Sequence, residues 1–250
     1  CRPVDIGYNA EESIPSLILY AKTVGDSKLT EKLKEILRKL LVFMLPDGAW
    51  DNSFGTRNYK WTYWGSRTSD GCQSAYGIWG DEEPVFHEAA VRNLILYKKC
   101  TGKGLLYGGP DYEIHGEEPC IHHTFCHAKA LASMIDSGQW SSQPAELPSQ
   151  HAPSLLYFSE IDTWKISKGG FLGTVTGYDF HYMKGGHASG GTLTMLWHRT
   201  AGPVIMSSMT DYWLKEPHNM QLSLKKSQHC SLTPRIELES QGKKYSSCYD

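Results

Sequence analysis

The chain has 250 residues, of which 40% are apolar, so it is large enough to fold around one large core or two ordinary ones. Its net charge of -2 excludes the strongly basic surface that binds nucleic acid or an anionic membrane. No apolar run approaches the roughly 18 to 20 residues that cross a bilayer, and no signal peptide is visible, so an exported protein would already have lost its signal.

Aromatic and cysteine contents narrow the class of protein further. The chain holds eight tryptophans and fourteen tyrosines, whose flat rings can stack on sugar faces while keeping one polar edge, although a packed core accounts for most single rings. Seven cysteines cannot all pair within one chain, and their spacing is not that of a small disulfide scaffold. The cysteines therefore do not indicate whether the protein folds in an oxidising or a reducing compartment.

The first 140 residues repeat apolar side chains at the 3.6-residue period of amphipathic helices. The clearest stripe lies between Ser27 and Leu45 and ends at the turn sequence LPDG. The capping-box spacing from Asn9 to Glu12 and the first-turn position of Pro84 mark two further helix starts. Five helices are predicted, over 9–21, over 27–45, from 69 to about 80, from 84 towards the sequence CTGKG, and from 119 to 138. Their connections are typical of antiparallel helical hairpins.

The pattern changes after residue 140. A Ser/Pro/Gln stretch over 141–153 predicts a linker. The remainder, 154–250, contains short β-branched and aromatic segments separated by turns: SLLYF, TWKI, FLGTVTGY, GTLTMLWH, PVIMSS, MQLSL and RIEL. Helices followed by strands indicate an α+β protein with two domains, a helical part over 1–140 and an antiparallel sheet part over 154–250.

Four of the eleven histidines lie within the sequence HGEEPCIHHTFCHAKAL. Three interpretations are open for His122 and His123. Either histidine could exchange protons with a substrate or contact it near neutral pH. A zinc site could combine one of them with Cys120, Cys126 and His127, although this spacing matches no standard zinc motif. The third interpretation is a cluster of hydrogen-bonded core residues.

The segment 46–71, PDGAWDNSFGTRNYKWTYWGSRTSDG, is a long polar loop rich in aromatic residues. A well-packed surface loop is one interpretation, but a loop of this length is costly to order unless it binds something. Arginines offer a planar fork for a carboxylate or sulfate, and aromatic rings offer stacking platforms, so the composition suits an acidic sugar. The candidate residues are Arg57, Asn58, Trp61, Tyr63, Trp64, Arg67 and Asp70, with Gln73 in the helix that follows.

A glycine-rich turn, YDFHYMKGGHASGG, precedes a predicted strand and contains Tyr182 and His187. Its glycines allow the backbone to approach a neighbour or a ligand closely. A histidine in such a turn is by itself a weak signal.

Together these segments resemble a known family. The chain is similar to the heparinase II/III type of polysaccharide lyase in three stretches, VDIGYNAEESIPSLILYAKTVGD, GLLYGGPDYEIHGEEPCIHHTFCHAKAL and GGHASGGTLTMLWHRTAGPVIMSS. The resemblance covers roughly 4–221 and consists of loose patterns rather than one strict signature. It implies an incomplete α/α toroid followed by an antiparallel β-sandwich, and β-elimination at a uronic acid of a polysaccharide.

The resemblance also implies roles for individual residues. In β-elimination a polar group neutralises the uronate carboxylate, a base removes the proton at C5, and an acid protonates the departing O4. Carried over to this chain, Arg67 is expected to hold the carboxylate, His123 to act as base and His187 as acid, with Tyr63 or Tyr182 as a substitute for the family's tyrosine. The expected substrate-binding residues are Arg57, Asn58, Trp61, Trp64, Asp70, Gln73, His122 and Tyr182.

This chain departs from the family's pattern at each catalytic element. Gly185 stands where the family often has a histidine, and the two adjacent histidines stand where a tyrosine is expected. Arg67, Ser69 and Asp70 replace the usual Asn-His pair. An altered set of groups indicates a different polysaccharide or a different reaction.

Three alternatives to a lyase remain at this stage. A uronate C5-epimerase begins with the same proton abstraction and returns the proton to the other face. A glycoside hydrolase on the same helical scaffold would use two carboxylates, Asp70 with Glu117 or Glu118. A non-catalytic protein would grip a glycan with its aromatic rings and keep its histidines in the core.

The remaining expectations concern the context of the protein. We expect an acidic polysaccharide or oligosaccharide as partner, no nucleic acid, no membrane span and no cofactor. We expect a secreted or periplasmic protein. The chain looks short for a toroid plus a sandwich, so we also expect it to be a piece of a longer product.

Overall fold

The computed structural model describes residues 12–51, 53–54, 72–107, 109–115, 119, 121–137, 143–151, 154–177, 191–206 and 237–246. These residues fall into two compact units. The helical unit contains 12–51 and the described residues between 72 and 151, and the sheet unit contains 53–54 and the described residues from 154 onward.

Six α-helices lie in the described part of the helical unit. They are α1 (Ile14–Val24), α2 (Ser27–Leu40), α3 (Cys72–Ile78), α4 (Pro84–Lys99), α5 (Tyr112–His115) and α6 (Ile121–Ser137). A short antiparallel hairpin, β1 (Thr101–Gly102) and β2 (Leu105–Leu106), follows α4, and 3₁₀ turns occupy Leu41–Phe43 and Pro148–Gln150.

The five predicted helices are present as α1, α2, α3, α4 and α6, with shifted ends. The second helix stops at Leu40 and tightens into a 3₁₀ turn, as helices often do in their last turn. The predicted cap Asn9 lies outside the described residues, and so do 69–71 at the expected start of α3. The β1–β2 hairpin was not predicted because each strand has only two residues, although its turn residues Lys103 and Gly104 both adopt positive φ.

Tyr76 of α3 lies at the centre of the helical core. Its hydroxyl donates to the Leu37 carbonyl of α2 at 2.8 Å, and its ring stacks on Trp50 and packs against Phe86 of α4. These side chains are all buried. One tyrosine therefore joins α2, α3, α4 and the turn that follows α2.

The turn after α2 is held against α4 by polar contacts. Asn93 Nδ2 donates to the Gly48 carbonyl at 2.8 Å, and Arg92 Nη1 donates to the Pro46 carbonyl at 2.6 Å. Gly48 has φ +91°, and a Cβ at this position would overlap the backbone of Arg92. Glycine is therefore required here both by the backbone conformation and by the close approach of α4.

The sheet unit is built on a five-stranded antiparallel meander in the order β3-β4-β5-β6-β7. Its strands are β3 (Ser154–Phe158), β4 (Thr163–Lys168), β5 (Phe171–Thr176), β6 (Thr192–His198) and β7 (Gly202–Met206). A two-stranded antiparallel ribbon, β8 (Glu237–Ser240) and β9 (Lys243–Ser246), follows. Gly169 and Gly170, both at positive φ, form the two-residue turn between β4 and β5.

The two faces of this sheet differ in exposure. Thr163 pairs with Thr176 and Lys165 with Thr174, so these four side chains share one face, and all four are buried. The opposite face is apolar and partly exposed, with Tyr157 stacked on Trp164 at a ring distance of 4.5 Å. Leu172, Met195 and Trp197 lie on the same face as the four buried side chains and are also buried, so the buried face is mixed and combines hydroxyl groups with apolar packing.

The predicted α+β class is confirmed, since the described chain combines helices with antiparallel sheets. Six of the seven predicted strand segments overlap β3 to β8; the first two residues of RIEL and all of MQLSL lie outside the described residues. Within the described ranges, no helix is both long and apolar enough to cross a membrane.

The Gly48 turn provides a test of the core packing. We expect Gly104→Ala to lower the free energy of unfolding by about 1 kcal/mol, because Gly104 has φ +77° but faces open space. Gly48→Ala should cost about 3 kcal/mol or more, since overlap with backbone adds to the strain. Urea unfolding followed by tryptophan fluorescence measures both values, and equal losses would contradict the close approach of α4.

Candidate functional site

Helix α6 carries the histidines that the sequence singles out. His122 and His123 lie in its first turn, and their side chains are outside the described part of the structure. The same turn is tied to the β1–β2 hairpin, because the Leu106 amide donates to Thr124 Oγ1 at 2.9 Å. The backbone that carries both histidines is therefore attached to the neighbouring hairpin.

The buried face of α6 contains His127 and Met134. His127 is fully buried, with its ring 4.8 Å from that of Tyr97. Met134 packs against Gly77 of α3, where any Cβ would overlap the methionine side chain. His127 is thus a core residue, which favours the packed-core interpretation for this one histidine. In the described ranges, no group of three or more histidine, cysteine or acidic side chains is arranged to hold a metal ion.

A cleft of about 490 Å³ lies between α1, α3 and α6. Its lining combines apolar residues with polar ones, and the polar and sulfur-containing side chains are Glu12, Ser13, Ser16, Ser74, Cys126, Lys129 and Ser133. The walls are linked near their ends, where Lys22 Nζ of α1 donates to the Ser137 carbonyl of α6 at 3.3 Å. Small side chains on both helices, Ser16 on α1 and Ala130 and Ser133 on α6, leave part of the space between the helices unfilled.

A second feature with site character is a buried hydroxyl network in the sheet unit. Thr194 Oγ1 accepts from Ser53 Oγ at 3.0 Å, donates to the Thr174 carbonyl at 3.1 Å, and lies 3.3 Å from Thr176 Oγ1. One donor and two acceptor positions are all that a threonine hydroxyl offers, so Thr194 is fully satisfied. Lys165 Nζ extends the network by donating to Thr174 Oγ1 at 3.0 Å.

A β-bulge brings Thr194 into this network. The register of β5 against β6 shifts between Thr174, which pairs with Met195, and Val175, which pairs with Leu193. Thr194 is the extra residue, and both it and Met195 are buried. Bulges are common beside functional sites, where they redirect one side chain out of the strand's alternation.

The network connects two segments that the sequence predicts to be functional, the polar loop and the strands that flank the glycine-rich turn. Ser53 and Phe54, both buried, come just before the residues 57 and 58 of the polar loop. The Gly191 amide donates to the Thr176 carbonyl at 2.8 Å, which closes the two ends of the connection that contains residues 182 and 187. Ser53 of the polar loop therefore lies close to the end of β5 and the start of β6, which flank the glycine-rich turn.

Most predicted site residues lie outside the described residues. They are Arg57, Asn58, Trp61, Tyr63, Trp64, Arg67, Asp70, Tyr182 and His187. For Gln73, His122 and His123 the structure gives the helical backbone and not the side chain. These assignments therefore stay predictions.

Sequence reasoning missed the residues that build the two described features. The network residues Thr174, Thr176 and Thr194 lie in the sequences TVT and TLT, which indicate strands but not buried hydroxyl groups. On α6, Cys126, Lys129 and Ser133 recur at helical spacing, which is a detectable signal, but only the packing of α1 shows that this face lines a cleft.

The hydroxyl network can be tested through stability. Ser53→Ala removes a buried hydroxyl that donates to Thr194 and should lower the free energy of unfolding by about 1 to 2 kcal/mol. Ser154→Ala, on the exposed start of β3, is the matched control and should change it by less than about 0.5 kcal/mol. Chemical denaturation measures both, and similar losses would argue against the network.

The reactivity of two cysteines tests whether reagents can enter the cleft. Cys100 is fully buried, and this burial raises the pKa of its thiol to about 12, so the reactive thiolate stays scarce until the pH approaches that value. Cys126 is partly exposed and lines the cleft. Iodoacetamide at mildly alkaline pH should modify Cys126 and spare Cys100 until denaturant is added, as peptide mass spectrometry would show. Equal rates in the folded protein would contradict this arrangement.

Comparison with known proteins places the chain in a family. Residues 1–152 match the family described as the ulvan lyase N-terminal domain, and residues 155–250 match the ulvan lyase C-terminal domain. The chain is 44% identical over 255 residues to a protein of Formosa agariphila named broad-specificity ulvan lyase. That alignment covers 99% of this chain and 39% of the relative, so the chain spans about two fifths of the relative's length. No solved structure matches the chain.

These matches confirm the relationship to polysaccharide lyases that the sequence predicts, although under the description of ulvan lyases rather than of the heparinase II/III type. The two matched domains together cover almost every residue. The chain therefore belongs to the ulvan lyase family.

Proposed function

We propose that this chain is part of a polysaccharide lyase that cleaves a uronic-acid-containing polysaccharide of the ulvan type by β-elimination. The observation that carries the proposal is the pair of family matches, over 1–152 and 155–250, with a 44% identical relative that is named an ulvan lyase. A single polymer-cleaving reaction accounts for both matched domains and for the acidic-sugar chemistry of the 46–71 loop.

The reaction assigns one task to each of three groups. Arg67 pairs with the uronate carboxylate and so stabilises the negative charge that develops when C5 loses its proton. His123 accepts that proton, the electron pair forms the C4–C5 double bond, and the C4–O4 bond breaks. His187 gives a proton to the departing O4. Tyr63, or Tyr182 in its place, is the proposed substitute for the tyrosine of the heparinase II/III type of lyase.

Several described features support this assignment. The first turn of α6, which carries residue 123, is fixed to the β1–β2 hairpin through Thr124. In the sheet unit, the buried network around Thr194 holds both ends of the connection that contains residue 187. Catalytic groups need such rigid supports, because a displacement of about 1 Å can cost about a hundredfold in rate.

We propose eight residues as substrate-binding groups. They are Arg57, Asn58, Trp61, Trp64, Asp70, Gln73, His122 and Tyr182. The arginine would take a carboxylate or sulfate, the tryptophans would stack on sugar faces, and the amides would bind hydroxyl groups. We propose no cofactor for this reaction, because the carboxylate can be neutralised by a cationic side chain.

The finer fold is also a proposal. We infer that the helical unit is part of an α/α toroid and the sheet unit part of an antiparallel β-sandwich, as in the heparinase II/III type of lyase. The five-stranded sheet supports this, because the side chains of Leu155, Tyr157 and Phe171 on its apolar face are each at least 44% exposed. A second sheet packed on this face would cover them. We further propose that the protein is secreted or periplasmic, where a large polymer is accessible.

The test is ultraviolet absorbance of unsaturated uronate during incubation with ulvan, glucuronan, alginate, chondroitin and heparan chains. A rise with one of these substrates is expected, and His123→Ala and His187→Ala should each slow it by about 10²- to 10⁴-fold. His151→Ala is the matched control, since His151 is exposed and no role is proposed for it, and it should leave the rate unchanged.

Other products would overturn the lyase assignment. New reducing ends without absorbance, lost in Asp70→Asn, would indicate a hydrolase. Changed configuration at C5 without chain cleavage, seen by NMR, would indicate an epimerase. Binding without any turnover would indicate a glycan-binding protein.

A further inference from the structure

The cleft between α1, α3 and α6 has the size and chemistry of a small-ligand site. Its volume of about 490 Å³ lies within the range of about 300 to 1,000 Å³ that such sites occupy. The hydroxyl groups of Ser13 and Ser16 can each donate and accept a hydrogen bond, and Ser133 Oγ, which donates to the Lys129 carbonyl at 3.1 Å, can still accept one. Paired donors and acceptors of this kind match the hydroxyl groups of a sugar.

Lys129 gives the cleft its cationic group. It is exposed on α6, and no acidic side chain in the described residues forms an ion pair with it. Lysines 32, 34 and 39 of α2, by contrast, each contact a glutamate. A free ammonium group beside hydroxyl groups in a cleft is suited to an anionic ligand.

One acidic residue also lines the cleft. Glu12 precedes α1 and is exposed, so its charge is screened by solvent. It limits how much negative charge the cleft can accept. A sugar with a single anionic group suits one lysine and one glutamate better than a densely charged ligand does. The Glu12 carboxylate can accept hydrogen bonds from sugar hydroxyl groups while Lys129 pairs with the sugar's anionic group.

The described α6 residues that line the cleft begin at Cys126, one turn after residue 122. Lys129 is seven residues, or about 10 Å along a helix axis, from residue 122. Cys126, which also lines the cleft, lies one turn from residue 122 and one turn from Lys129. A polymer that reaches the first turn of α6 could therefore extend into the cleft.

We propose that this cleft is a subsite that binds an acidic sugar unit neighbouring the one that reacts, with Lys129 pairing with its carboxylate or sulfate ester. The inference rests on the proposed function for the identity of the polymer. Lys129 is then a substrate-binding residue that sets which acidic sugars are accepted, and Ser16 and Ser133 bind hydroxyl groups of the same unit.

Binding of ulvan oligosaccharides to the full chain, measured by isothermal titration calorimetry, tests the subsite. Lys129→Gln should raise Kd about five- to tenfold, as expected for the loss of one charge-assisted hydrogen bond in a partly exposed cleft. Lys129→Arg should restore most of the affinity. Lys28→Gln removes one exposed lysine of α2 and is the matched control, which should leave Kd unchanged within about twofold.

A second variant tests the location independently of charge. Ser16→Leu adds bulk to an exposed position of α1 that lines the cleft, so the helix should fold while the cleft narrows. It should also raise Kd at least about fivefold. Circular dichroism and the thermal midpoint verify that each variant is folded.

Two simpler polymers identify the anionic group. Glucuronan carries carboxylates only, and dextran sulfate carries sulfate esters only. If Lys129 holds a carboxylate, Lys129→Gln weakens binding of glucuronan relative to Lys28→Gln; if it holds a sulfate ester, the difference appears with dextran sulfate. Equal Kd values for Lys129→Gln and Lys28→Gln on every polymer, or no effect of Ser16→Leu, would overturn the subsite.

The two proposals fail in different ways. If no polymer gives an unsaturated product but Lys129→Gln still weakens ulvan binding, the lyase assignment falls and the cleft remains a glycan-binding site. If product forms and Lys129→Gln matches its control in Kd, the subsite falls and the lyase assignment remains.

Discussion

A buried hydroxyl group is costly unless it is hydrogen-bonded, and in the sheet unit Thr194 is the centre of a network that provides such bonds. Thr194 satisfies its hydroxyl through Ser53, Thr174 and Thr176, which come from segments as far as 141 residues apart in the chain. An unpaired hydroxyl at this depth would cost about 1 to 3 kcal/mol. The network therefore fixes the position of Ser53 within the polar loop relative to the end of β5 and the start of β6, between which the proposed catalytic turn lies.

The helical unit is organised by side-chain size. A large residue, Tyr76, fills the centre and links α2, α3 and α4, whereas Gly77 beside it allows α6 to approach closely through Met134. Where α1 and α6 face each other with Ser16 and Ser133, the helices leave a cleft instead of a core. The same scaffold thus provides a rigid support for the histidine turn and a polar space next to it.

Much of the architecture could be predicted because it depends on local patterns. The 3.6-residue period located α2 and α4 closely, and the change to short β-branched segments after residue 140 located β3 to β7. The family resemblance led to polysaccharide lyases from loose motifs and not from a catalytic signature. The chain departs from the heparinase II/III pattern at residues 67 and 185, and the family that it matches is that of the ulvan lyases.

The sequence by itself determined the α+β class and the position of most elements, since these follow from periodicity, turn residues and side-chain type. Only the tertiary structure decided that Thr194 is the extra residue of a bulge, that His127 is buried against Tyr97, and that Lys129 lines a cleft. The reason is physical: each of these properties depends on contacts between residues distant in the chain, and the identity of a side chain does not specify its partner.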